Sequence, residues 1–172
     1  MVEKQLVVDH LKFSYEGLFN TAELYNLIMS FFYEKGWDWK EKLNQEIITP
    51  NGKQMKIILQ PWKSSSDFYK IEMKINIVMT DVKEVEVEVD GKNLRLNQGL
   101  IRMTFDGAVL SDRHGRWTLK EKPLYWFILI LSQKYFFKNH FKKFETWIKS
   151  DIDDLLNKIK TFLNVYKYSL QS

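Results

Sequence analysis

Residues 141–168 read FKKFETWIKSDIDDLLNKIKTFLNVYKY, and the spacing of their apolar members decides what the rest of the chain must do. Phe141, Phe144, Trp147, Ile148, Ile152, Leu155, Leu156, Ile159, Phe162, Leu163 and Tyr166 step by three or four, with no Gly or Pro among them. Such spacing draws one apolar stripe along an amphipathic helix. A helix of that kind is stable only when something equally apolar covers the stripe. The remainder of the chain must therefore supply a sheet with one greasy face.

Immediately upstream, Pro123 precedes eight consecutive apolar residues, Leu124 to Leu131. A membrane span needs ~20 such residues, so this run is too short for one. Pro suits the first position of a helix, and the pattern continues towards Lys138. A single straight helix from 123 to 168 would be ~68 Å long at ~1.5 Å per residue. A break near Phe137–His140 is expected, which divides the segment into helices 123–138 and 141–168.

Before this segment the chain alternates. Tyr69, Ile71, Met73, Ile75, Ile77 and Met79 fall on one side of residues 68–80, opposite Lys70, Glu72, Lys74 and Asn76. That is a strand with one buried and one wet face. Residues 83–90 repeat the pattern, with Val85, Val87 and Val89 set against Glu84, Glu86 and Glu88. Further strands are expected at 5–15, 37–49, 53–63, 93–97, from Gly99 to about Ser111, and at 116–119. The turns between them are Glu16-Gly17, Thr49-Pro50-Asn51-Gly52, a polar stretch at 64–67, Asp90-Gly91 and 112–115. Between the first two strands lies a helix over 20–35. Asn20 caps it, Glu23 is placed to reach back, Phe19 and Leu24 form a hydrophobic staple, and Gly36 ends it.

The chain therefore reads as α+β: a curved antiparallel sheet of six or seven strands, strands covering 37–119 after the first, one N-terminal helix, and a long C-terminal helical segment packed on the sheet. With 172 residues, three Pro and seven Gly, it forms one domain with short connections. This order of elements resembles the helix-grip proteins of the START and polyketide-cyclase-like superfamily, in which a curved antiparallel sheet wraps the last helix. The resemblance implies a cavity between sheet and helix that holds an apolar small molecule. Met73, Ile75, Met79, Phe105 and Phe144 would line it. Two departures stand out: one longer helix follows the first strand where that superfamily has two short ones, and the 123–138 helix is extra.

No catalytic signature is present. Cysteine is absent, which removes thiol chemistry and disulfides together. His10, His114 and His140 stand on three different elements without zinc-site spacing, and Gly99, Gly107 and Gly115 form no phosphate-binding loop. No cofactor or metal is expected. Support for an enzyme is confined to Asp9, which the alternation places on the apolar face of the first strand, and the charged loop 112–116. The Glu84, Glu86 and Glu88 row places three carboxylates on one strand face, which suits a cation or a basic partner; the plainer reading is a solvated face that also guards an edge.

Net charge is +4, and the excess lies in residues 120–172, where ten Lys face five acidic residues. Lys134, Lys138, Lys142, Lys143 and Lys149 are interleaved with aromatic residues, a pattern that suits RNA, a ribonucleoprotein or an anionic membrane surface. The plainer reading is ordinary amphipathicity. The N-terminus lacks the build of a signal peptide, so a cytoplasmic protein is expected. The function the residues point to is a non-enzymatic binding protein for an apolar ligand; the alternative is an interaction protein using the basic C-terminal helix.

Overall fold

The structure is a computed structural model in which residues 3–64, 69–89, 91–111 and 137–168 are described. Its elements are β1 (Glu3–Phe19), α1 (Thr21–Glu34), β2 (Asp38–Thr49), β3 (Gly52–Ser64), β4 (Tyr69–Val89), β5 (Lys92–Ser111) and α2 (Phe137–Tyr168). The α+β class holds, with one antiparallel sheet in the order β1-β5-β4-β3-β2. Among the described residues it has five strands, where six or seven were expected. The physical reason is continuity. The strands expected at 68–80 and 83–90 are one 21-residue strand, Tyr69–Val89, and Gly99 does not interrupt the 20-residue β5. Nor does Glu16-Gly17 turn the chain, since Gly17 pairs with Gly99 and β1 runs on to Phe19. The expected strand at 116–119 and helix at 123–138 lie outside the described residues.

One face of the sheet carries the core. Leu59, Ile71, Met73, Ile75, Ile77, Ile101, Met103 and Phe105 are all buried there, in one cluster with Leu24, Ile28, Phe31 and Phe32 of α1 and the α2 stripe. Phe144, Ile148, Ile152, Leu155, Leu156, Ile159 and Leu163 supply that stripe. Each such side chain contributes ~1.5–3 kcal/mol on burial. Described from Phe137 onward, the helix runs unbroken for 32 residues, and it passes through Phe137–His140, where a break was expected.

Local chemistry sets where α1 starts and stops. Asn20 Oδ1 accepts from the backbone N–H of Ala22 at 3.1 Å and of Glu23 at 3.2 Å. Glu23 does reach back, but to the side-chain amide of Asn20. At the other end Gly36 takes φ 69°, which a residue with a Cβ adopts only at a cost. That conformation lets Trp37 N–H donate to Phe32 O at 2.8 Å and Gly36 N–H to Tyr33 O at 3.1 Å, a Schellman closure.

Polar ties hold α1 and α2 antiparallel over the same face. Tyr166 meets Glu23 near the start of α1, and Lys158 meets Glu34 near its end, 2.9 Å away. Lys35 then bridges Asp154 at 2.8 Å and Asp151 at 3.4 Å, and the Trp37 indole N–H donates to Asp151. Along the sheet, α2 runs from Gly107, whose built Cβ would sit 2.5 Å from Ile148 Cγ2, to Tyr15, whose hydroxyl donates to Leu163 O. Among the described residues no helix is long and apolar enough to cross a membrane.

A bulge divides the longest strand. Thr80 pairs with Leu100 and Lys83 with Gln98, so Asp81 and Val82 together oppose Gly99. Asp81 takes φ 55°. The extra residue reverses the alternation. Before it, odd-numbered residues face the helices; after it, even-numbered ones do, with Val82 buried in the core and Glu84 beside α1.

Candidate functional site

The bulge and the first turn of α1 together enclose a hollow of about 430 Å³ on the helix-covered face. Its floor is apolar, formed by Met55 and Ile57 of β3 and Val82 of β4, with Tyr25 as one wall. Ile57 and Val82 belong to the main core cluster, and Met55 pairs with Met79 across the ladder. The hollow is therefore an open end of the core at the start of α1, where no described side chain caps the sheet.

Polar groups form its rim. Asn97 Oδ1 is fully engaged at the start of α1, accepting from Thr21 N–H at 3.2 Å and from the Thr21 hydroxyl at 3.0 Å. The Asn26 and Asn44 side chains also line the opening, both exposed. Lys53 stands between two acids, its Nζ 3.5 Å from Glu46 and 3.8 Å from Glu84. The Tyr25 hydroxyl donates to Glu41 at 2.9 Å; burial and that acceptor both raise its pKa above the usual phenol value. An apolar floor with a few polar groups at the rim is the usual make-up of a small-molecule site, and ~300–1,000 Å³ the usual size. Nothing in this lining supplies a nucleophile beside a base.

Two other hollows are smaller. One of about 230 Å³ lies among Lys35, Lys63, Trp147 and Asp151, where Lys35 and Asp151 are already paired. Another of about 360 Å³ lies at the bulge, among Glu16, Asp81, Lys83 and Gln98, with a mostly polar lining.

A second polar cluster sits on β1. Asp9 was expected on the apolar face, but the structure places it in solvent. Register shifts between Leu6 and Val8 and between Val8 and Leu11 bulge it outward with His10, whose φ is 51°. His10 Nδ1 bonds to Asp9 Oδ1, and the His10 N–H donates to Asp106 Oδ1 at 2.8 Å. The Asp9 hydrogen bond, followed by the charges of Asp106 and Asp9, raises the His10 pKa above 6.5. One ligand atom from each residue lies within 4.8 Å of the others, close enough for one cation. The imidazolium that this geometry favours competes with a metal for the same Nδ1.

The residues singled out from the sequence fall into separate places. Met73, Ile75, Met79, Phe105 and Phe144 are brought together, each at most 5% exposed, inside the packed core. None of them lines the hollow. Lys142, Lys143 and Lys149 are exposed on α2, but Lys149 pairs with Glu145 at 2.6 Å and Lys143 lies 4.8 Å from the Trp147 ring centre. Lys138 lies in the first turn of α2, its side chain outside the described residues, as are the side chain of His140 and the whole of Lys134, His114 and the 112–116 loop. Of the Glu row, Glu84 lines the hollow and Glu86 pairs with Arg95 at 3.3 Å.

Asn44, Met55, Val82 and Asn97 went unrecognised in the sequence as parts of a site. One signal was present: Asn is depleted in strand interiors, and Asn97 stands in one. No protein-family model matches the chain, and comparison with curated proteins finds no match.

Proposed function

We propose that this chain is a non-enzymatic binding protein of helix-grip type, holding a small molecule with an apolar body between its sheet and its helices. The observation that carries the proposal is the hollow under the first turn of α1, with Met55, Ile57 and Val82 beneath and amide side chains at the rim. Both helices pack on one face of a single antiparallel sheet, which supports the helix-grip reading. The Met73, Ile75, Met79, Phe105 and Phe144 cluster then serves as the rigid backing of the site, joined to it through the Met55–Met79 pair. Binding to an RNA or an anionic surface through Lys142, Lys143 and Lys149 ranks second, because Lys149 and Lys143 already have partners.

The test uses Nile red, an uncharged apolar dye. One dye per chain should bind with enhanced fluorescence. Ala22→Trp places an indole at the hollow from an exposed position in the first turn of α1, so the fold should persist by circular dichroism while dye binding is lost. Equal dye binding by folded Ala22→Trp, or none by the wild type, overturns the proposal.

A further inference from the structure

We infer that the polar end of the ligand in this hollow is an ammonium group rather than a carboxylate or phosphate; the inference rests on the binding reading above. A helix N-terminus ordinarily attracts anions through its free N–H groups. Here those groups are spent. Thr21 N–H donates to Asn97 Oδ1, Ala22 and Glu23 N–H donate to Asn20 Oδ1, and Leu24 N–H donates to Asn20 O at 2.9 Å. An anion placed at the start of α1 would find no backbone donor.

The side chains point the same way. Of the described residues lining the hollow, Lys53 is the only cation, and Glu46 and Glu84 are the two anions. Lys53 lies between them at 3.5 and 3.8 Å, so it neutralises one charge and leaves the rim with a net negative. An ammonium entering beside Lys53 meets the remaining carboxylate and the exposed Asn44 and Asn26 amides, which offer carbonyl acceptors. Its hydrocarbon would rest on Met55, Ile57 and Val82, with the Tyr25 ring alongside. A fatty carboxylate of the same length gains the same apolar contact but brings its charge against two Glu residues and a lysine that is already shared.

Displacement of Nile red by three eight-carbon probes, octylamine, octanol and octanoate, tests this at neutral pH. The acids are partly solvated, so the preference is set by a surface-strength ion pair. Octylamine should displace the dye at about five-fold lower concentration than octanol, with octanoate weakest. The preference should shrink at high salt, vanish in the Glu46→Gln/Glu84→Gln double variant, and widen in Lys53→Gln. Octanoate matching or exceeding octylamine overturns the inference, as does a preference that survives the double variant. Failure of all three probes to displace bound dye also overturns it, yet leaves the hollow as a binding site. Absence of dye binding in the wild type removes the site itself.

Discussion

Ile148 of α2 sits directly over Gly107 of β5, so close that a Cβ on the glycine would lie 2.5 Å from the Ile148 Cγ2. The second neighbour, Ile152 Cδ1, would be 3.2 Å away. Gly107 therefore marks where the long helix comes nearest to the sheet. Ile148 is β-branched and fully buried, so its methyl has no rotamer to escape into.

Gly107→Ala should accordingly destabilise the fold by about 1–3 kcal/mol, the usual cost of overpacking. Urea denaturation reads this directly. Adding Ile148→Ala removes the clashing methyl, so the double variant should lose less than the sum of the two single losses. Strict additivity would show that the two residues do not meet.

Asn20→Ala should cost ~1 kcal/mol through the lost cap. The affected bonds run to Ala22 and Glu23. Because Ala22 lines the hollow, its freed N–H should also let the variant bind octanoate better than wild type does. An unchanged denaturation midpoint would contradict the cap.

Ile75→Asp should unfold the chain. Ile75 is fully buried at the centre of β4, paired with Leu59 on one side and Phe105 on the other. An unpaired carboxylate there costs several kcal/mol against a total stability of ~5–15. Wild-type thermal melting of this variant would mean the core lies elsewhere.

His10 should titrate above the ordinary histidine value, because the Asp9 hydrogen bond and then the Asp106 charge favour the imidazolium. A raised folded-state pKa adds stability that is fully present below the unfolded value near 6.5 and is lost as pH rises through the folded value. Imidazole NMR should show the folded pKa falling in Asp9→Asn and, by less, in Asp106→Asn. The group is fully exposed, so the pKa, and not the melting temperature, is the informative readout.

The strands and helices were legible because burial imposes periodicity. The α2 stripe, the odd-numbered face of residues 69–79 and the Asn20 cap all follow from it. The strand number was not, because Gly17 and Gly99 read as breaks although they pair with each other inside the sheet. Asp9 was misplaced for a related reason. Alternation assumes an unbroken pleat, and β1 has register shifts on both sides of Val8. The hollow depends on where the bulge at Asp81 brings β4 beneath the first turn of α1, a relation between residues 60 positions apart that no local pattern carries.

That bulge has a consequence for how the chain could vary in length. Beyond it, β4 and β5 continue as a two-stranded ribbon: Val85 with Leu96 and Val87 with Leu94 on one face, Glu86 with Arg95 on the other. Residue pairs can be added to or removed from the ribbon tip without altering the register of Ile75, Ile77 or Met79. Deleting Asp81 alone would remove the bulge without turning the ribbon, because β5 runs straight through it: Val82 would stay opposite Gly99, Lys83 opposite Gln98 and Glu84 opposite Asn97. Val85 and Val87 would keep their face, and Glu84 its place at the hollow. The core and the ribbon thus share one phase through β5, and the bulge takes up a single surplus residue on β4 alone.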